Sequence, residues 1–341
     1  MSRNERLSFP FAAIVGQEQM KTALLLNIID PRIGGVLIKG EKGTAKSTTV
    51  RSLIQVLPDV EHVKGCVYHC RPERGATLCP ECAGNAATDT MMEYEVSPMK
   101  VVELPLSATE DRIAGTLDIE HMLQTGRKKF EPGVLAQANG NLLYIDEVNL
   151  LEDHMVDLLL DVAAMGVNYV EREGISFEHP SRFILVGSMN PEEGELRPQL
   201  IDRFGLCVEM VGEKSLRTRT EIVSRRLEFD DDPESFTETY AEATAKIRGD
   251  ILRARRDLPN VIVSKDLLTT ASNISIHFKM EGHRADITMV RAARANAALL
   301  GKDMADRRDL ETVAPFVLSH RIRRRPFENT RFDVEELKKC I

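Results

Sequence analysis

The chain has 341 residues, of which 43% are hydrophobic, and its formal net charge is −8. This length predicts one large domain and one smaller domain. The acidic balance argues against general binding of nucleic acid, because that binding needs an excess of basic side chains to neutralise phosphates. The sequence contains no run of 18 apolar residues and no apolar signal core at its start. It therefore predicts a cytoplasmic protein without a membrane span.

The first predicted elements are a helix over residues 17–29 and a short buried strand over residues 35–39. Residues 40–47 follow and read Gly-Glu-Lys-Gly-Thr-Ala-Lys-Ser, after which the chain can continue as a helix. Between a strand and a helix, the N–H groups of such a loop and the helix dipole can bind a polyphosphate. The residues predicted to contact a nucleotide here are Gly40, Glu41, Lys42, Gly43, Thr44, Ala45, Lys46, Ser47 and Thr48.

Two side chains of this phosphate-binding loop have predicted roles. Lys46 is expected to reach the β- and γ-phosphates, and the Ser47 hydroxyl is expected to hold Mg²⁺. Ala45 stands where the motif usually has glycine. Alanine is the smallest replacement, so the backbone can still approach the phosphates closely. The loop therefore predicts a nucleoside triphosphate as ligand, in preference to a plain surface turn.

The cysteines are concentrated in a predicted insert of about residues 60–98. Four of the six cysteines lie there with the spacing C-x3-C-x8-C-x2-C, and they are Cys66, Cys70, Cys79 and Cys82. In a reducing cytosol, four clustered thiols favour a metal over disulfides. Four thiolates with no open position predict a structural Zn²⁺ site. An iron–sulfur cluster, free thiols and a ligand role for the adjacent His69 are alternatives that the sequence leaves open.

Carboxylates and an amide follow two later strands. The predicted strand at residues 142–146 ends in Asp146, expected to hold Mg²⁺, and is followed by Glu147, expected to polarise the attacking water. The predicted strand at residues 183–189 ends at Asn190, whose amide can orient this water or can serve an Asn-Pro turn. Together with the phosphate-binding loop, these residues predict hydrolysis rather than binding alone.

The order of the elements indicates an α/β fold. Apolar strands recur near residues 35–39, 100–104, 142–146, 183–189 and 206–210. Helical or irregular segments separate them, which is typical of a parallel sheet with helices on both faces. Only helical patterns follow residue 211. We therefore predict a nucleotide-binding domain over residues 1–228 and a helical domain over residues 229–341, joined by an acidic linker at residues 230–232.

Four stretches of the sequence together resemble one family. They are residues 14–17, 40–47, 143–151 and 190–206, the last reading Asn-Pro-Glu-Glu-Gly-Glu-Leu-Arg-Pro-Gln-Leu-Ile-Asp-Arg-Phe-Gly-Leu. The chain resembles the AAA+ ATPases, and more narrowly the small ATPase subunit of magnesium chelatase and its cobalt-chelatase-like relatives. The resemblance implies an AAA+ P-loop NTPase core with a parallel sheet flanked by helices, followed by an all-helical lid domain.

The resemblance also implies roles for single residues. Val15 and Gly16 match residues that line the adenine pocket. Arg203 matches an arginine finger that reaches the γ-phosphate bound by the neighbouring subunit, a role that suits a permanent positive charge. An ion pair with the preceding aspartate is the alternative for this arginine. Arg284 matches the lid arginine that senses phosphate in its own subunit, and Arg197 is a weaker candidate for the same neighbourhood.

Two inserts and one basic run complete the sequence-based expectations. A helix-bearing insert is expected at about residues 106–130 and an exposed hairpin at about residues 167–178. In the family such inserts face the ring pore or a partner subunit; ordinary surface elaboration is the alternative. The basic run at residues 321–325 is interpreted as a solvated helix end or a partner contact.

The function implied by the resemblance is that of an ATPase, with ATP and Mg²⁺ as cofactors. Its hydrolysis of ATP would drive insertion of Mg²⁺ or Co²⁺ into a tetrapyrrole. The expected partners are further copies of the chain in a ring, by resemblance a hexamer, an integrin-domain AAA+ chelatase subunit and a large tetrapyrrole-binding subunit. A MoxR-like chaperone that loads metal or remodels a protein is the alternative. A nucleic-acid translocase is disfavoured by the acidic charge, and we expect no nucleic-acid partner.

Overall fold

The computed structural model describes residues 7–71, 77–88, 90–118, 124, 130–172, 175–322, 332 and 334–340. The chain forms two compact units. One combines residues 1–57 with residues 187–341, and the other consists of residues 58–186. The predicted boundary at residues 228 and 229 is a different division, and it stays a prediction.

The described strands are, in chain order, β1 (Val36–Gly40), β2 (Asp59–Val63), β3 (Tyr94–Pro98), β4 (Val101–Leu104), β5 (Gly115–Leu117), β6 (Phe130–Pro132), β7 (Leu142–Ile145), β8 (Val167–Arg172), β9 (Ile175–Pro180), β10 (Ile184–Met189) and β11 (Leu206–Met210).

The described helices are α1 (Glu18–Ile29), α2 (Lys46–Ser52), α3 (Pro80–Ala87), α4 (Glu110–Ala114), α5 (Val134–Ala138), α6 (Asp153–Met165), α7 (Pro198–Arg203), α8 (Leu216–Asp231), α9 (Pro233–Thr239), α10 (Ala241–Asp257), α11 (Lys265–His277), α12 (Arg284–Leu299), α13 (Arg307–Leu318) and α14 (Val334–Lys338).

The main sheet has five strands in the order β11-β1-β10-β7-β4. β1 and β11 run parallel with Val36 opposite Leu206, and β4 and β7 run parallel with Val101 opposite Leu142. Every residue of β7 and of β10 is buried, as expected for strands of a parallel sheet that is covered on both faces. The predicted α/β fold, a parallel sheet with flanking helices followed by a helical segment, is confirmed.

The segment after β11 is helical, and its core forms around α12. This helix carries six buried alanines and packs against α10, α11 and α13. Small side chains let neighbouring helices approach closely. α13 begins with a capping box, in which Asp306 and Asp309 bind each other's backbone N–H groups.

Two local expectations have clear outcomes. The acidic stretch predicted as a linker is helical instead, because α8 continues to Asp231 and the Asp232 side chain caps the next helix. The predicted hairpin is confirmed, since β8 and β9 pair antiparallel from Val167 opposite Pro180 to Arg172 opposite Ile175. Within the parts of the chain that the structure describes, no helix combines the length and apolar character needed to cross a membrane.

The insert predicted at residues 106–130 contains α4, β5 and the start of β6. β5 pairs antiparallel with β6, so that Gly115 lies opposite Pro132. Residues 119–123 and 125–129 of this insert lie outside the described residues.

Candidate nucleotide and metal sites

The phosphate-binding loop, residues 40–47, leads from β1 into α2. The Lys46 ammonium is buried and donates hydrogen bonds to the backbone carbonyls of Gly40 and Glu41, the latter at 2.9 Å. The Thr44 hydroxyl donates to the same Glu41 carbonyl at 2.8 Å. The loop is thus folded around its lysine, and the ammonium lies among the backbone groups that the sequence predicts to bind phosphates.

Two residues of the loop have left-handed backbone conformations. Gly43 has φ +79°, which glycine adopts without cost. Ala45 has φ +61°, so the position where the motif usually carries glycine has the backbone that favours glycine. Ala45 therefore preserves the shape of the loop, at the cost of local backbone strain.

The two residues that follow Lys46 lie in the first turn of α2. Ser47 is half-buried there, and Thr48 is exposed.

The turn after β10 lies beside the phosphate-binding loop. Lys42 of the loop forms an ion pair with Glu193 of this turn. The Asn190 side chain accepts a hydrogen bond from the N–H of Glu192 at 3.2 Å and thereby caps the turn. The turn role foreseen for Asn190 is therefore observed, and a role toward the lytic water stays a prediction.

Val15 and Gly16 lie in a half-buried turn before α1. The Lys21 ammonium donates to the Ile14 carbonyl at 2.6 Å, and Arg225 of α8 donates at 2.8 Å to the carbonyl two residues before Val15. Gly16 has φ +69°. Two cationic side chains and a glycine therefore fix the backbone of the segment that the sequence predicts to line the adenine pocket.

Arg203 is half-buried in the last turn of α7. Its neighbour Asp202 binds two arginines of the helical segment, with Arg284 at 2.9 Å on one carboxylate oxygen and Arg321 at 3.1 Å on the other. Arg197 is exposed and lies immediately before the start of α7. The structure therefore brings the predicted sensor Arg284 to the residue that precedes the predicted finger Arg203.

Arg321 corrects the interpretation of the basic run. Its side chain is only 4% exposed, so at this residue the run is neither a solvated helix end nor an open partner surface. Burial lowers the pKa of Arg321 to about 10, against the opposing effect of Asp202. Residues 323–325 of the run lie outside the described residues.

Asp146 and Glu147 follow β7 and belong to the unit of residues 58–186. The hydroxyl of the fully buried Tyr144 donates to Asp146 Oδ1 at 2.8 Å, which fixes one carboxylate oxygen. Glu147 has φ +55°, an unusual conformation for a side chain of this size. Such strain is often concentrated where a side chain must be aimed for function.

The four cysteines predicted as metal ligands converge. All four are free thiols, and their sulfur atoms lie within 4.8 Å of one another. The Sγ of Cys66 is 3.8 Å from that of Cys79 and 3.6 Å from that of Cys82. A tetrahedral zinc ion with Zn–S bonds of about 2.3 Å would place its sulfur atoms about 3.8 Å apart. The donor set and its spacing therefore fit one zinc ion.

Backbone N–H groups also point at the cluster. The N–H of Cys79 donates to Cys70 Sγ at 3.2 Å, and that of Cys82 donates to Cys79 Sγ at 3.5 Å. Hydrogen bonds from Cys70 and Cys79 lower the pKa of the Cys66 thiol. Hydrogen bonding with Cys66 raises the pKa of the Cys70 and Cys79 thiols, and burial raises that of Cys82. Bonds from backbone N–H groups favour thiolates, which are the form that binds metal. An iron–sulfur cluster fits less well, because several iron ions need thiolates that are spread more widely.

The cysteine-rich insert packs against the two other inserts. The Tyr68 ring lies 4.9 Å from the ring of His179 on β9, and Phe130 of β6 stacks on Phe177 at 4.2 Å. His179 is fully buried, and burial lowers its pKa. Its Nε2 lies 2.9 Å from the Asn168 amide nitrogen. The three inserts of this unit thus share aromatic packing and one buried polar pair.

Three important residues were missed from sequence, namely Tyr144, Asn168 and Arg321. In the sequence, Tyr144 resembles the other apolar residues of a buried strand. Its position two residues before Asp146 was the only signal for the hydrogen bond between them. The partners of Asn168 and Arg321 are remote in sequence: Asn168 binds the Ala114 carbonyl at 2.7 Å, and Arg321 binds Asp202.

Two family descriptions match parts of the chain. Residues 89–204 match "AAA domain (dynein-related subfamily)", and residues 268–340 match "AAA lid domain". The second match begins within α11 and continues to residue 340. The matched ranges include Asp146, Glu147 and Arg203 in the first family and Arg284 in the second.

Curated relatives match almost the whole chain. A magnesium-chelatase subunit ChlI homolog of Methanocaldococcus jannaschii is 51% identical, over 98% of this chain and 90% of that protein. The magnesium-chelatase 38 kDa subunit of Cereibacter sphaeroides is also 51% identical, over 98% of this chain and 97% of that protein. The chain belongs to the family of magnesium-chelatase ATPase subunits. The resemblance seen in the sequence is therefore confirmed.

Two solved structures resemble the chain. The chain is 47% identical, with a TM-score of 0.54, to a chain in a cryo-EM-based model of the complex between subunits BchI and BchD of magnesium chelatase. The match covers 97% of this chain and 99% of that one. A putative ATPase from Cytophaga hutchinsonii has a TM-score of 0.63 at 18% identity. At that identity the likeness supports the fold alone.

Proposed function

We propose that this protein is the ATP-hydrolysing motor subunit of a multi-subunit chelatase that inserts Mg²⁺, or alternatively Co²⁺, into a tetrapyrrole. The observation that carries this proposal is identity of about half the residues to magnesium-chelatase subunits over nearly the full chain. The same relatives favour this function over that of a MoxR-like chaperone. Dehydrating a small divalent ion is energetically unfavourable, which gives ATP hydrolysis a physical purpose.

The phosphate-binding loop would hold the triphosphate of ATP. Lys46 would exchange its bonds to the loop carbonyls for the β- and γ-phosphate oxygens, and the loop N–H groups would bind the remaining charge. The Ser47 hydroxyl and the Asp146 carboxylate would hold the Mg²⁺ that accompanies ATP. Tyr144 supports this role, since its hydrogen bond orients the Asp146 carboxylate.

Glu147 would accept a proton from the attacking water, with Asn190 orienting that water. Arg203 would stabilise the charge that develops on the γ-phosphate of a neighbouring subunit, and Arg284 would sense the phosphate in its own subunit. The role of Arg203 in a neighbouring subunit requires copies of the chain to assemble in a ring, by family resemblance a hexamer. The active site would then be completed only on assembly.

The partners would be a larger chelatase subunit and a tetrapyrrole-binding subunit. The likeness to a chain in the BchI–BchD complex supports the first of these, and an integrin-like domain in that partner is our expectation. Assembly in the cytoplasm is the setting that we propose. The chain has no tryptophan, and aromatic residues make up only 5% of it, so we assign the tetrapyrrole site to the partner.

We also propose that Cys66, Cys70, Cys79 and Cys82 hold a structural Zn²⁺. Four sulfur atoms within 4.8 Å support this assignment. The ion would join the turn after β2 to the start of α3, because Cys79 is the N-cap of that helix. With four thiolate ligands the ion would have no open position, so its role would be structural.

Reconstitution tests the proposed function. This chain, an integrin-domain subunit and a porphyrin- or corrin-binding subunit should together insert Mg²⁺ or Co²⁺ in the presence of ATP, measured by the absorbance of the metallated product. Lys46→Ala should lose nucleotide affinity and abolish insertion, whereas Glu147→Gln should keep nucleotide binding and lose turnover. Lys265→Ala, at the exposed first residue of α11, is the matched lysine control. Metal insertion by this chain alone, or insertion that is indifferent to Lys46→Ala, would contradict the proposal.

A further inference from the structure

A buried arginine holds the backbone on both sides of Arg203. Arg321 lies after the end of α13, and its guanidinium donates to the carbonyl of Asp202 at 3.1 Å and to that of Phe204 at 2.7 Å. It also donates to the carbonyl of Gly205 at 3.1 Å. The three carbonyls flank Arg203, one before it and two after it. Arg321 therefore contacts the backbone that carries the finger, on either side of the finger residue.

The backbone of residues 204 and 205 also contacts His320 and Ile33. His320 Nε2 donates to the Phe204 carbonyl at 3.1 Å, and the Phe204 side chain is fully buried. A Cβ on Gly205 would lie 2.0 Å from the carbonyl oxygen of Ile33. The backbone after Arg203 is thus enclosed between the turn at Ile33 and the pair His320 and Arg321.

The chemistry of this contact requires arginine. A guanidinium offers five N–H donors in a fixed plane, so one side chain can reach several carbonyls and a carboxylate together. Arg321 uses this geometry, because it also binds Asp202 Oδ1 at 3.1 Å. Hydrogen bonds from a charged donor contribute more than neutral ones. A lysine carries the same charge but has only a single donor nitrogen.

We propose that Arg321 is a positioning residue for catalysis in the adjacent subunit. It fixes the backbone of residues 202–205, so that Arg203 projects toward the γ-phosphate of the neighbour at the required place. The inference rests on the proposed role of Arg203 in trans. Loss of Arg321 would leave nucleotide binding in the same subunit intact and would reduce turnover in the subunit that receives the finger.

Mixed rings test this direction of action. Arg321→Ala protein should bind ATP within about twofold of the unaltered protein, while its ATPase kcat should fall by about tenfold to a hundredfold, the loss expected from misplacing a catalytic group. Adding Glu147→Gln protein, which cannot turn over but carries an intact finger, should restore activity at mixed interfaces. An Arg203→Ala mixture, measured in parallel, should be rescued in the same way.

Two further variants make the test decisive. Arg294→Ala is the matched control, because Arg294 donates to the carbonyls of Val261 at 3.1 Å and Pro259 at 2.8 Å, away from Arg203. It should retain kcat even if its melting temperature falls. Arg321→Lys should retain part of the activity and be rescued likewise, and it replaces Arg321→Ala if that protein does not fold.

The outcomes separate this inference from the function on which it rests. If the Arg203→Ala mixture is rescued and the Arg321 mixtures are not, Arg321 acts within its own subunit and the inference is wrong. Unchanged kcat in Arg321→Ala would also overturn it. If neither mixture is rescued, the trans role of Arg203 itself fails, and the inference falls with it.

Discussion

The phosphate-binding loop and the cysteine-rich insert are both irregular segments with a predicted ligand, but they are held in different ways. In the loop, residues 41–43 are exposed and the contacts described above go mainly to its own carbonyls. In the insert, four side chains point at one another, and three of the four cysteines are buried. A loop that exchanges its ligand keeps backbone groups accessible, whereas a permanent ion is held by side chains within the core.

The largest expected effect comes from removing one thiol of the insert. Cys79→Ser should lose zinc and lower stability by about 4–5 kcal/mol, because loss of a metal is among the mechanisms behind the largest effects of single substitutions. Protein purified without a metal-affinity tag should contain close to one zinc per chain before the change and almost none after it, measured by elemental analysis. Residues 60–98 should also become sensitive to protease.

Cys340→Ser is the control for this experiment, since Cys340 donates to the Glu336 carbonyl near the end of the chain and lies outside the cluster. It should leave the zinc content and the melting temperature unchanged. A folded, metal-free protein with four reactive thiols in the insert would contradict the zinc assignment and remove the contrast between the two regions.

An intermediate effect is expected at the start of the phosphate-binding loop. A Cβ on Gly40 would lie 2.6 Å from Met210 Cβ and 2.9 Å from the Met210 carbonyl oxygen. Gly40→Ala should therefore push β1 from β11 and destabilise the protein by about 1–3 kcal/mol, as overpacking does. Chemical denaturation measures the change, and ATP affinity should fall as the loop moves.

Gly249→Ala is the matched glycine control. Gly249 lies within α10, and a Cβ there would meet no atom within 4 Å, so alanine should be neutral or stabilise the helix by up to about 1 kcal/mol. If the Gly40→Ala protein were as stable as the unaltered protein, β11 could shift to make room for the added Cβ. The close approach of β1 and β11 at Gly40 would then have no structural importance.

Much of the fold could be predicted because its signals are local. The strand at residues 35–39 is observed at Val36–Gly40, and that at residues 142–146 at Leu142–Ile145, since short apolar runs bounded by polar residues favour buried strands. The cysteine cluster was predictable because ligands of one metal lie close together in sequence. The acidic stretch was misread because charge alone does not end a helix; α8 continues through it until Asp232 caps the next helix.

The parts of the site that escaped prediction depend on remote contacts. Arg321 and Asp202 are 119 residues apart, and no local pattern indicates that a basic run will place one arginine in the core. The same holds for the Asn168 amide and the Ala114 carbonyl, 54 residues apart. Such hydrogen bonds follow from tertiary packing, which composition and spacing do not encode directly.

The smallest expected effect concerns backbone strain that the two regions share. Ala45 in the loop has φ +61° and His69 in the insert has φ +46°, a region that costs a residue with a side chain about 1–2 kcal/mol. Glycine relieves this cost but loses about 0.5–1 kcal/mol through greater freedom of the unfolded chain. Ala45→Gly should therefore stabilise the protein by about 0.5–1 kcal/mol, measured by denaturant unfolding.

His69→Gly should have the opposite sign, although its backbone is strained in the same way. The His69 ring lies 5.2 Å from the His62 ring, and its backbone carbonyl accepts a hydrogen bond from Asn139 at 2.9 Å. Removal of the ring loses this packing beside the cysteine cluster, and the loss should exceed the relief of strain. If both glycine variants were stabilised equally, the His69 ring would contribute nothing, and backbone strain alone would determine stability in both regions.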